Sequence, residues 1–280
     1  MRQATTLIVS TFLCFSSIGV TSGTAQESER DRIPSHCRSL ANDIDGGTYI
    51  WRAALTDPLP DHTVRIKYID HAMFVVQAGE IEAVTDFNGY FGVTDWVPDV
   101  VTMNQAHSSH YTSRVDDRVT HVLEGWGRFA EGAEHNLDLG PMLIRNVPTD
   151  IRMGDGREPN GNSVFIFEAG GLCIGHLGHL HHEPSEEQYA AIGRLDVVMA
   201  PVDGGLTVPR ETMVKIVSRL RSSIVIPMHW FSRGGLNAFL QEMSTSFTVI
   251  ETGTTELLVS LDRLPSEPTI MVLEPQFIED

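Results

Sequence analysis

The order of apolar and polar positions predicts a chain that begins rich in strands and later alternates strands with helices. Short apolar runs in the first half, some of them alternating with polar residues, favour β-strands separated by turns such as Gly79-Glu80. The predicted strands cover residues 64–69, 73–77, 81–85, 99–103, 121–124 and 142–147. Glycine, asparagine and proline are frequent over residues 154–162, and this composition predicts a surface loop.

The second half of the chain adds the helical period. Residues 163–167 and 172–176 predict a hairpin around Gly170 and Gly171. Helices are predicted over residues 186–192 with Ser185 as N-cap, 209–220 and 236–243, and strands over 196–200, 224–228 and 247–250. A short helix is also predicted within residues 37–55. The whole pattern indicates one α/β domain with sheets inside and helices outside.

Charge and the N-terminal segment narrow the possible partners and the location. The 280-residue chain has a formal net charge of −17, which argues against nucleic-acid backbones and anionic membranes as partners. Residues 1–25 are typical of a secretory signal, because Arg2 precedes an apolar stretch and small residues follow it. We therefore predict a periplasmic or secreted protein, with an N-terminal extension at 26–60 and the folded domain at 61–280. A membrane anchor is the alternative, although the apolar stretch is short for a bilayer.

Two cysteines would remain after signal cleavage. They are Cys37 and Cys173, since Cys14 lies within the predicted signal. In an oxidising compartment they can form a disulfide. Equally, Cys173 can be a buried thiol within a strand and Cys37 a surface thiol, because a sequence does not place two Cα atoms within bridging distance. Both alternatives stay open.

Histidines gather where three predicted strands end. His107 and His110 follow one strand, His176 and His179 end a second, and His229 follows a third. Histidine is the commonest metal ligand, and sites in α/β proteins form at the carboxyl ends of strands. The five histidines therefore predict a bound metal. An all-imidazole set favours zinc, copper or nickel over magnesium, calcium or manganese.

Six motifs occur in an order that resembles one known family. They are Asp70-His71-Ala72-Met73-Phe74, Asp86, Gln105-Ala106-His107-Ser108-Ser109-His110, His176-Leu177-Gly178-His179, residues 196–205 and Pro227-Met228-His229. On these motifs the chain resembles the metallo-β-lactamase superfamily, and within it the UlaG-like branch of metal-dependent hydrolases. The resemblance runs from about residue 64 to residue 250. It implies an α/β fold, the four-layer αββα sandwich, and a small-molecule substrate.

The motifs also depart from the family pattern in ways that change the metal chemistry. Gln105 stands in place of the family's first histidine, Ser109 in place of its signature aspartate, and His179 in place of its bridging aspartate. Two divalent ions a few ångströms apart without an anionic bridge repel each other strongly. We therefore predict one metal ion, with zinc favoured and copper or iron as alternatives.

The resemblance and the strand ends together define the candidate ligands and the candidate base. The predicted metal ligands are Gln105, His107, His110, His176, His179 and His229. Because the family's aspartate is absent, a spare histidine, either His179 or His71, is predicted to act as the general base.

These observations predict an exported metal-dependent hydrolase. In such an enzyme a metal lowers the pKa of bound water and polarises a carbonyl or phosphoryl oxygen. The first alternative is a non-catalytic binding protein on the same fold, since a fold does not determine a function. The second is an oxidoreductase that uses a redox-active metal. Nothing in the sequence specifies the substrate.

Overall fold

Strand pairing in a computed structural model builds two large sheets whose apolar faces meet in the middle of the molecule. The structure describes residues 35–39, 55, 57–128, 131–154 and 156–279. The predicted signal at residues 1–25 and most of the predicted extension at 26–60 lie outside the described residues.

The elements are listed here in chain order. The strands are β1 (Thr63–Asp70), β2 (Met73–Ala78), β3 (Ile81–Val84), β4 (Gly92–Val93), β5 (Val100–Met103), β6 (His121–Glu124), β7 (Asn136–Asp138), β8 (Met142–Met153), β9 (Gly156–Ala169), β10 (Leu172–His176), β11 (Val197–Pro201), β12 (Ile224–Met228), β13 (Thr248–Glu251), β14 (Glu256–Ser260), β15 (Thr269–Val272) and β16 (Ile278–Glu279). The helices are α1 (His36–Ser39), α2 (Glu186–Ile192), α3 (Arg210–Leu220) and α4 (Arg233–Met243), and Leu261–Arg263 form a short 3₁₀ turn.

Each large sheet contains a group of parallel strands, whose carboxyl ends lie at the same edge of the sheet. The six-stranded sheet has the order β14-β1-β2-β3-β5-β6, with β3, β5 and β6 parallel to one another. The eight-stranded sheet has the order β13-β15-β12-β11-β10-β9-β8-β7, and its strands from β13 to β10 are parallel. Loops that leave the carboxyl ends of parallel strands gather at one edge, which is where α/β proteins bind ligands.

The two sheets share one buried apolar layer. Phe74 and Val76 of the first sheet belong to the same buried cluster as Phe165, Phe167 and Ile226 of the second. Burying each such side chain stabilises the fold by about 1.5–3 kcal/mol. On the outer face of the eight-stranded sheet, α2, α3 and α4 bury a second cluster. This arrangement confirms the predicted α/β class and the sheet-on-sheet sandwich.

The outer face of the six-stranded sheet is covered differently. Its buried cluster includes Met73, Val75 and Val101, and among the described residues the side chains packed over it come from loops. Aromatic residues dominate these loops: Phe91, Trp96, Tyr111 and Trp126. In the described part of the chain, the fourth layer of the predicted sandwich is therefore made of aromatic-rich loops.

Local sequence signals account well for α2 and poorly for β9. Ser185 caps α2 as predicted, because its hydroxyl accepts from the Gln188 N–H and the Gln188 side chain accepts from the Ser185 N–H. The predicted loop over residues 154–162 is wrong, since β9 begins at Gly156. Pairing with β8 down to the Met153–Gly156 register outweighs the low strand propensity of Pro159 and Asn160. Only the tight turn between β8 and β9 is left of the predicted loop, and Gly154 in this turn has a φ of 56°.

The N-terminal helix α1 is joined covalently to the sheet. Cys37 and Cys173 form a disulfide with a Cα–Cα distance of 5.8 Å, across a sequence separation of 136. The Ser35 hydroxyl also donates to Glu168 Oε1 of β9 at 2.5 Å. A segment of the predicted extension is thus bound to β9 and β10. Among the described helices, none is long and apolar enough to cross a lipid bilayer.

Candidate metal centre

Three strand ends bring four histidine rings together at the edge between the sheets. His107 and His110 follow β5, His179 lies beyond the end of β10, and His229 comes directly after β12. One ring nitrogen from each of these histidines lies within 4.8 Å of those of the other three. His110, His179 and His229 are buried, whereas His107 is exposed. The four rings form a compact nitrogen cluster with one member at the surface.

The first two of these histidines, which we call the anchored pair, are His110 and His229. His110 Nδ1 lies 2.6 Å from Asp86 Oδ2, and both side chains are completely buried. His229 Nδ1 lies 3.1 Å from Asp203 Oδ1, within ion-pair distance but less well aligned than the His110–Asp86 bond. At His110 the short bond to Asp86 holds a proton on Nδ1 and turns Nε2 toward the centre of the cluster. At His229 Asp203 lies beside Nδ1 without an aligned hydrogen bond. The two Nε2 atoms then face each other at 3.2 Å.

Both carboxylates are themselves held by donors. Asn104 Nδ2 donates to Asp86 Oδ1 at 2.9 Å. Asp203 accepts from the Gly205 N–H and from the Thr207 hydroxyl and N–H. Although burial opposes it, hydrogen bonds from His229, Thr207 and Gly205 lower the pKa of Asp203. Asp203 therefore carries a full negative charge beside His229.

The other two histidines, which we call the open pair, are His107 and His179. Their Nε2 atoms lie 2.9 Å apart. His107 Nδ1 lies 2.6 Å from the Ser109 hydroxyl, a neutral group, and His179 Nδ1 has no hydrogen-bond partner among the described residues. Neither ring is held by a carboxylate, so the open pair is less constrained than the anchored pair.

The donor set fits a metal ion of the zinc class. Two imidazole lone pairs at 2.9 or 3.2 Å repel each other unless a proton or a metal ion lies between them. Nitrogen ligands about 2.0–2.1 Å from a tetrahedral zinc ion lie about 3.4 Å apart, close to both separations. Burial and neighbouring histidines lower the pKa values of His107, His110 and His179. Neutral rings at neutral pH are the form in which histidine binds metals.

Two predicted ligands lie outside this cluster. His176 is fully buried, but its Nε2 donates to the Ala72 carbonyl at 2.7 Å and its Nδ1 accepts from the Gly178 N–H at 3.2 Å. Both nitrogens are therefore committed to the backbone. Gln105 donates its side-chain N–H to Glu158 Oε1 at 2.9 Å, so its amide is bonded to β9. The structure brings neither residue to the cluster, in contrast to the sequence prediction.

His71 lies beside the cluster without joining it. Its ring centroid is 3.9 Å from that of His229 and 5.0 Å from that of His110. The His71 carbonyl accepts from the Tyr68 hydroxyl at 2.8 Å and from the His229 N–H at 2.7 Å, and these bonds fix the residue. His71 Nε2 has no partner among the described residues. Burial and the neighbouring histidines lower the pKa of His71 to about 3.

Backbone strain accumulates at this site. His71, Asp86 and His229 have φ values of 50°, 43° and 57°, a region that residues with a side chain rarely adopt. Each such conformation costs about 1–3 kcal/mol and persists only where the surroundings enforce it. The sharp turns at these three residues place a histidine or its carboxylate partner immediately after a strand.

The sequence analysis gave neither Asp203 nor Asp86 a role as the partner of a histidine. Asp86 was matched to a family position at the end of the third strand, and Asp203 belonged to a matched motif, but neither was given a histidine partner. An aspartate directly before Gly204-Gly205 and after a buried strand is a signal for a fixed turn carboxylate. That signal could have identified Asp203 as a candidate partner for a histidine.

A pocket of about 410 Å³ opens beside the cluster. His71, His107 and Ser109 form the side nearest the metal centre, and aromatic residues form much of the remaining wall. Because exposed His107 belongs both to the cluster and to the pocket, a small molecule in the pocket would contact the centre at this residue.

Sequence comparisons identify a family and several relatives. A family model described as "Beta-lactamase superfamily domain" matches residues 65–229. A UPF0173 protein from Pyrococcus abyssi is 32% identical over 189 residues, which cover 66% of this chain and 78% of that protein. A UPF0173 metal-dependent hydrolase from Pyrococcus furiosus is 25% identical over 190 residues, which cover 60% of this chain and 84% of the relative.

Solved structures share the fold at lower sequence identity. A putative Zn-dependent hydrolase of the metallo-beta-lactamase superfamily from Thermotoga maritima matches with a TM-score of 0.54 and 24% identity, covering 76% of this chain and 100% of the other. Igni18, a metallo hydrolase from Ignicoccus hospitalis, matches with a TM-score of 0.52 and 17% identity, covering 71% of this chain and 99% of the other. At these identities the likeness establishes the fold.

Proposed function

The chain belongs to the beta-lactamase superfamily, and from this premise we propose that it is a metal-dependent hydrolase with a single metal ion held by four histidines. The observation that carries the proposal is the cluster of His107, His110, His179 and His229, whose ring nitrogens converge within 4.8 Å. Relatives named as metal-dependent hydrolases support the assignment of a metal and of hydrolysis.

One zinc ion suits the charges of the site. The four ring nitrogens are neutral donors, and Asp86 and Asp203 lie behind two of the rings. Burial raises the pKa of Asp86, and the charge of a bound cation would favour its ionised form. Two carboxylates would then offset the two positive charges of a single divalent ion, whereas a second ion would leave two charges uncompensated in a buried site. Imidazole donors favour zinc, with copper or iron as the alternatives that a redox activity would require.

Some residues of the site would bind the metal ion, and another would position water or substrate. A bound zinc ion would supply an acidified water and a Lewis acid for the scissile bond. His110 and His229, whose rings lie against Asp86 and Asp203, would hold it, and His179 would join them as a ligand rather than act as the base. His71 is neutral at neutral pH, and its low pKa makes it a weak base. We assign His71 to positioning water or substrate by accepting a hydrogen bond.

The alternative to a catalytic site is a closed structural site. Four protein ligands are typical of structural zinc, whereas catalytic zinc keeps one position for water. His107 is the residue that would distinguish a catalytic site from a structural one, because it is the exposed member of the cluster and lies against the pocket. A His107 side chain that yields its place to water or substrate would leave three buried histidines, the number of ligands found in catalytic zinc sites.

Elemental analysis and metal titration test this proposal. We expect about one equivalent of zinc in protein purified without chelator, and a melting temperature that falls on chelation and recovers with added zinc. The zinc-loaded protein should hydrolyse at least one member of a panel of esters, lactones, amides and phosphodiesters, and the chelated protein none. His121→Ala, which changes a histidine away from the cluster, is the matched control for His110→Ala. Less than half an equivalent of metal, or no turnover on any substrate, would contradict the proposal.

We further propose that the protein is exported to the periplasm or secreted. The signal-like residues 1–25 and the Cys37–Cys173 disulfide support this, because disulfides persist in oxidising compartments. The test is to express the full chain in a bacterial host and fractionate it. Processed protein in the periplasm without free thiols is the expected result. Unprocessed cytoplasmic protein with three free thiols, Cys14 included, is the contradicting one.

A further inference from the structure

The wall of the pocket beside the metal centre has an unusual balance of charge. Among the described residues that line it, Asp70 is the acidic one, and none is lysine or arginine. The imidazole rings of His71 and His107 also line it, on the side of the metal centre. Asn88 and Ser109 add uncharged polar groups. The pocket therefore offers an anion no lysine or arginine side chain to pair with.

The remaining wall is aromatic. Tyr68, Trp230 and Phe231 line the pocket together with Pro275. Phe231 is 65% exposed, and its ring centroid lies 5.4 Å from that of His71. Exposed aromatic rings that border a cavity bind apolar or aromatic groups through their faces. The position of Phe231 places such a group next to the candidate metal centre.

Neighbouring charges do not supply the missing cation. Arg233 lies beside this wall, with its guanidinium carbon 5.4 Å from the centre of the Trp230 ring. It forms ion pairs with Glu251 and Glu274, so the three side chains together carry one negative charge. On the other side, Asp86 and Asp203 offset the charge of a divalent ion. The net field at the pocket therefore favours a neutral molecule over an anion.

We propose that this pocket selects uncharged carboxylic acid derivatives, such as esters and lactones, that carry an aromatic or alkyl group, and that it discriminates against phosphorylated and carboxylated substrates. This inference rests on the proposed hydrolase function. In the reaction, the oxygen of water bonds to the acyl carbon and the bond from that carbon to the leaving oxygen breaks. The leaving oxygen takes up a proton as the alcohol, and the acid product ionises. The carboxylate so formed is repelled by Asp70, which favours its release.

A matched pair of esters tests the charge preference. Butyric acid 4-nitrophenyl ester and succinic acid mono-4-nitrophenyl ester have the same leaving group and similar length, but the second carries a carboxylate. We expect kcat/KM to be at least tenfold higher for the neutral ester in zinc-loaded protein at low salt. Asp70→Asn should narrow the ratio of the two kcat/KM values, neutral ester over charged ester, at least threefold. Equal values for the two esters, or a preference for the charged one, would overturn the inference.

A binding measurement separates this inference from the proposed function. Butyranilide and succinanilic acid are the corresponding anilides, and their Kd values can be measured by calorimetry without turnover. We expect at least tenfold tighter binding of butyranilide, and at least a fivefold loss on Phe231→Ala. Phe277→Ala changes an exposed phenylalanine outside the lining and should leave Kd unchanged. Selective binding without any hydrolysis would support the pocket inference and reject the hydrolase. Hydrolysis without a preference for the neutral compounds would support the hydrolase and reject the pocket inference.

Discussion

The anchored pair and the open pair, which we propose hold one metal ion together, differ in the groups that support their rings. His110 and His229 each have a carboxylate at Nδ1, and both rings are fully buried. In the open pair, His107 has only the Ser109 hydroxyl and is exposed, and His179 Nδ1 has no partner among the described residues. A carboxylate behind a ligand fixes its tautomer and strengthens its donor nitrogen. We infer that the anchored pair sets the affinity for metal, whereas the open pair allows the site to adjust.

The difference corresponds to where the sequence departs from the motif pattern that it resembles. By that resemblance, Ser109 and His179 replace carboxylates, and both belong to the side of the cluster that contains the open pair. On the other side, Asp86 and Asp203 remain as partners of the anchored pair. The loss of charge is thus confined to one half of the site, and this half faces the pocket through His107.

Removing one ligand from each pair should give the largest effect. We expect His110→Ala to weaken zinc binding by at least about 100-fold, because it removes a ligand and leaves buried Asp86 without its partner. His107→Ala should weaken binding by no more than about tenfold, since three buried histidines remain. Competition with a chromophoric chelator measures both values.

Circular dichroism spectra and melting temperatures of the metal-free variants are the controls for folding. Equal losses in the two variants, or a larger loss for His107→Ala, would remove the distinction between the anchored and open pairs.

Changing the partners instead of the ligands should give smaller losses. Asp86→Asn and Asp203→Asn keep the side-chain size but remove the charge, so each should weaken zinc binding by about 10–100-fold. Ser109→Ala removes a neutral partner and should cost less than either. Asp203→Asn should also lower the melting temperature, because Asp203 accepts several bonds from residues 205–207.

Asp116→Asn is the matched control for these partners. Asp116 is an exposed carboxylate paired with Arg118, so its loss should leave zinc affinity unchanged. If Ser109→Ala weakened binding as much as Asp86→Asn, a carboxylate partner would have no special role in this site.

The fold could be predicted well from the sequence, because apolar residues recur with the periods of strands and helices and capping residues mark helix ends. The helix at residues 186–192 and the strand at 224–228 follow from capping and from a short buried apolar run, and the structure has both at these bounds. Strand β9 was mispredicted over its first half, since long-range pairing with β8 overrode local turn propensity.

The candidate site was harder to predict because it depends on side-chain direction. Strand ends predicted the region in which the candidate ligands lie, but they did not distinguish His176 from His179, which are only three residues apart. His176 is bonded to the backbone through both nitrogens, whereas His179 contributes to the cluster. The partnership of Asp203 with His229 joins two separate loops. The sequence marks Asp203 as a turn carboxylate, but it does not specify which histidine this carboxylate contacts.

The smallest expected effect comes from giving a histidine of the open pair a carboxylate partner. Ser109→Asp would place a carboxylate opposite His107 Nδ1, where the serine hydroxyl now lies at 2.6 Å. We expect zinc affinity to rise by up to about tenfold, the lower end of the effect of such partners. Ser108→Asp is the matched control, because it adds the same charge at an exposed neighbour that has no hydrogen bond to His107 among the described contacts. An equal gain in both variants would mean that added charge alone, and not a partner for the His107 ring, strengthens the site.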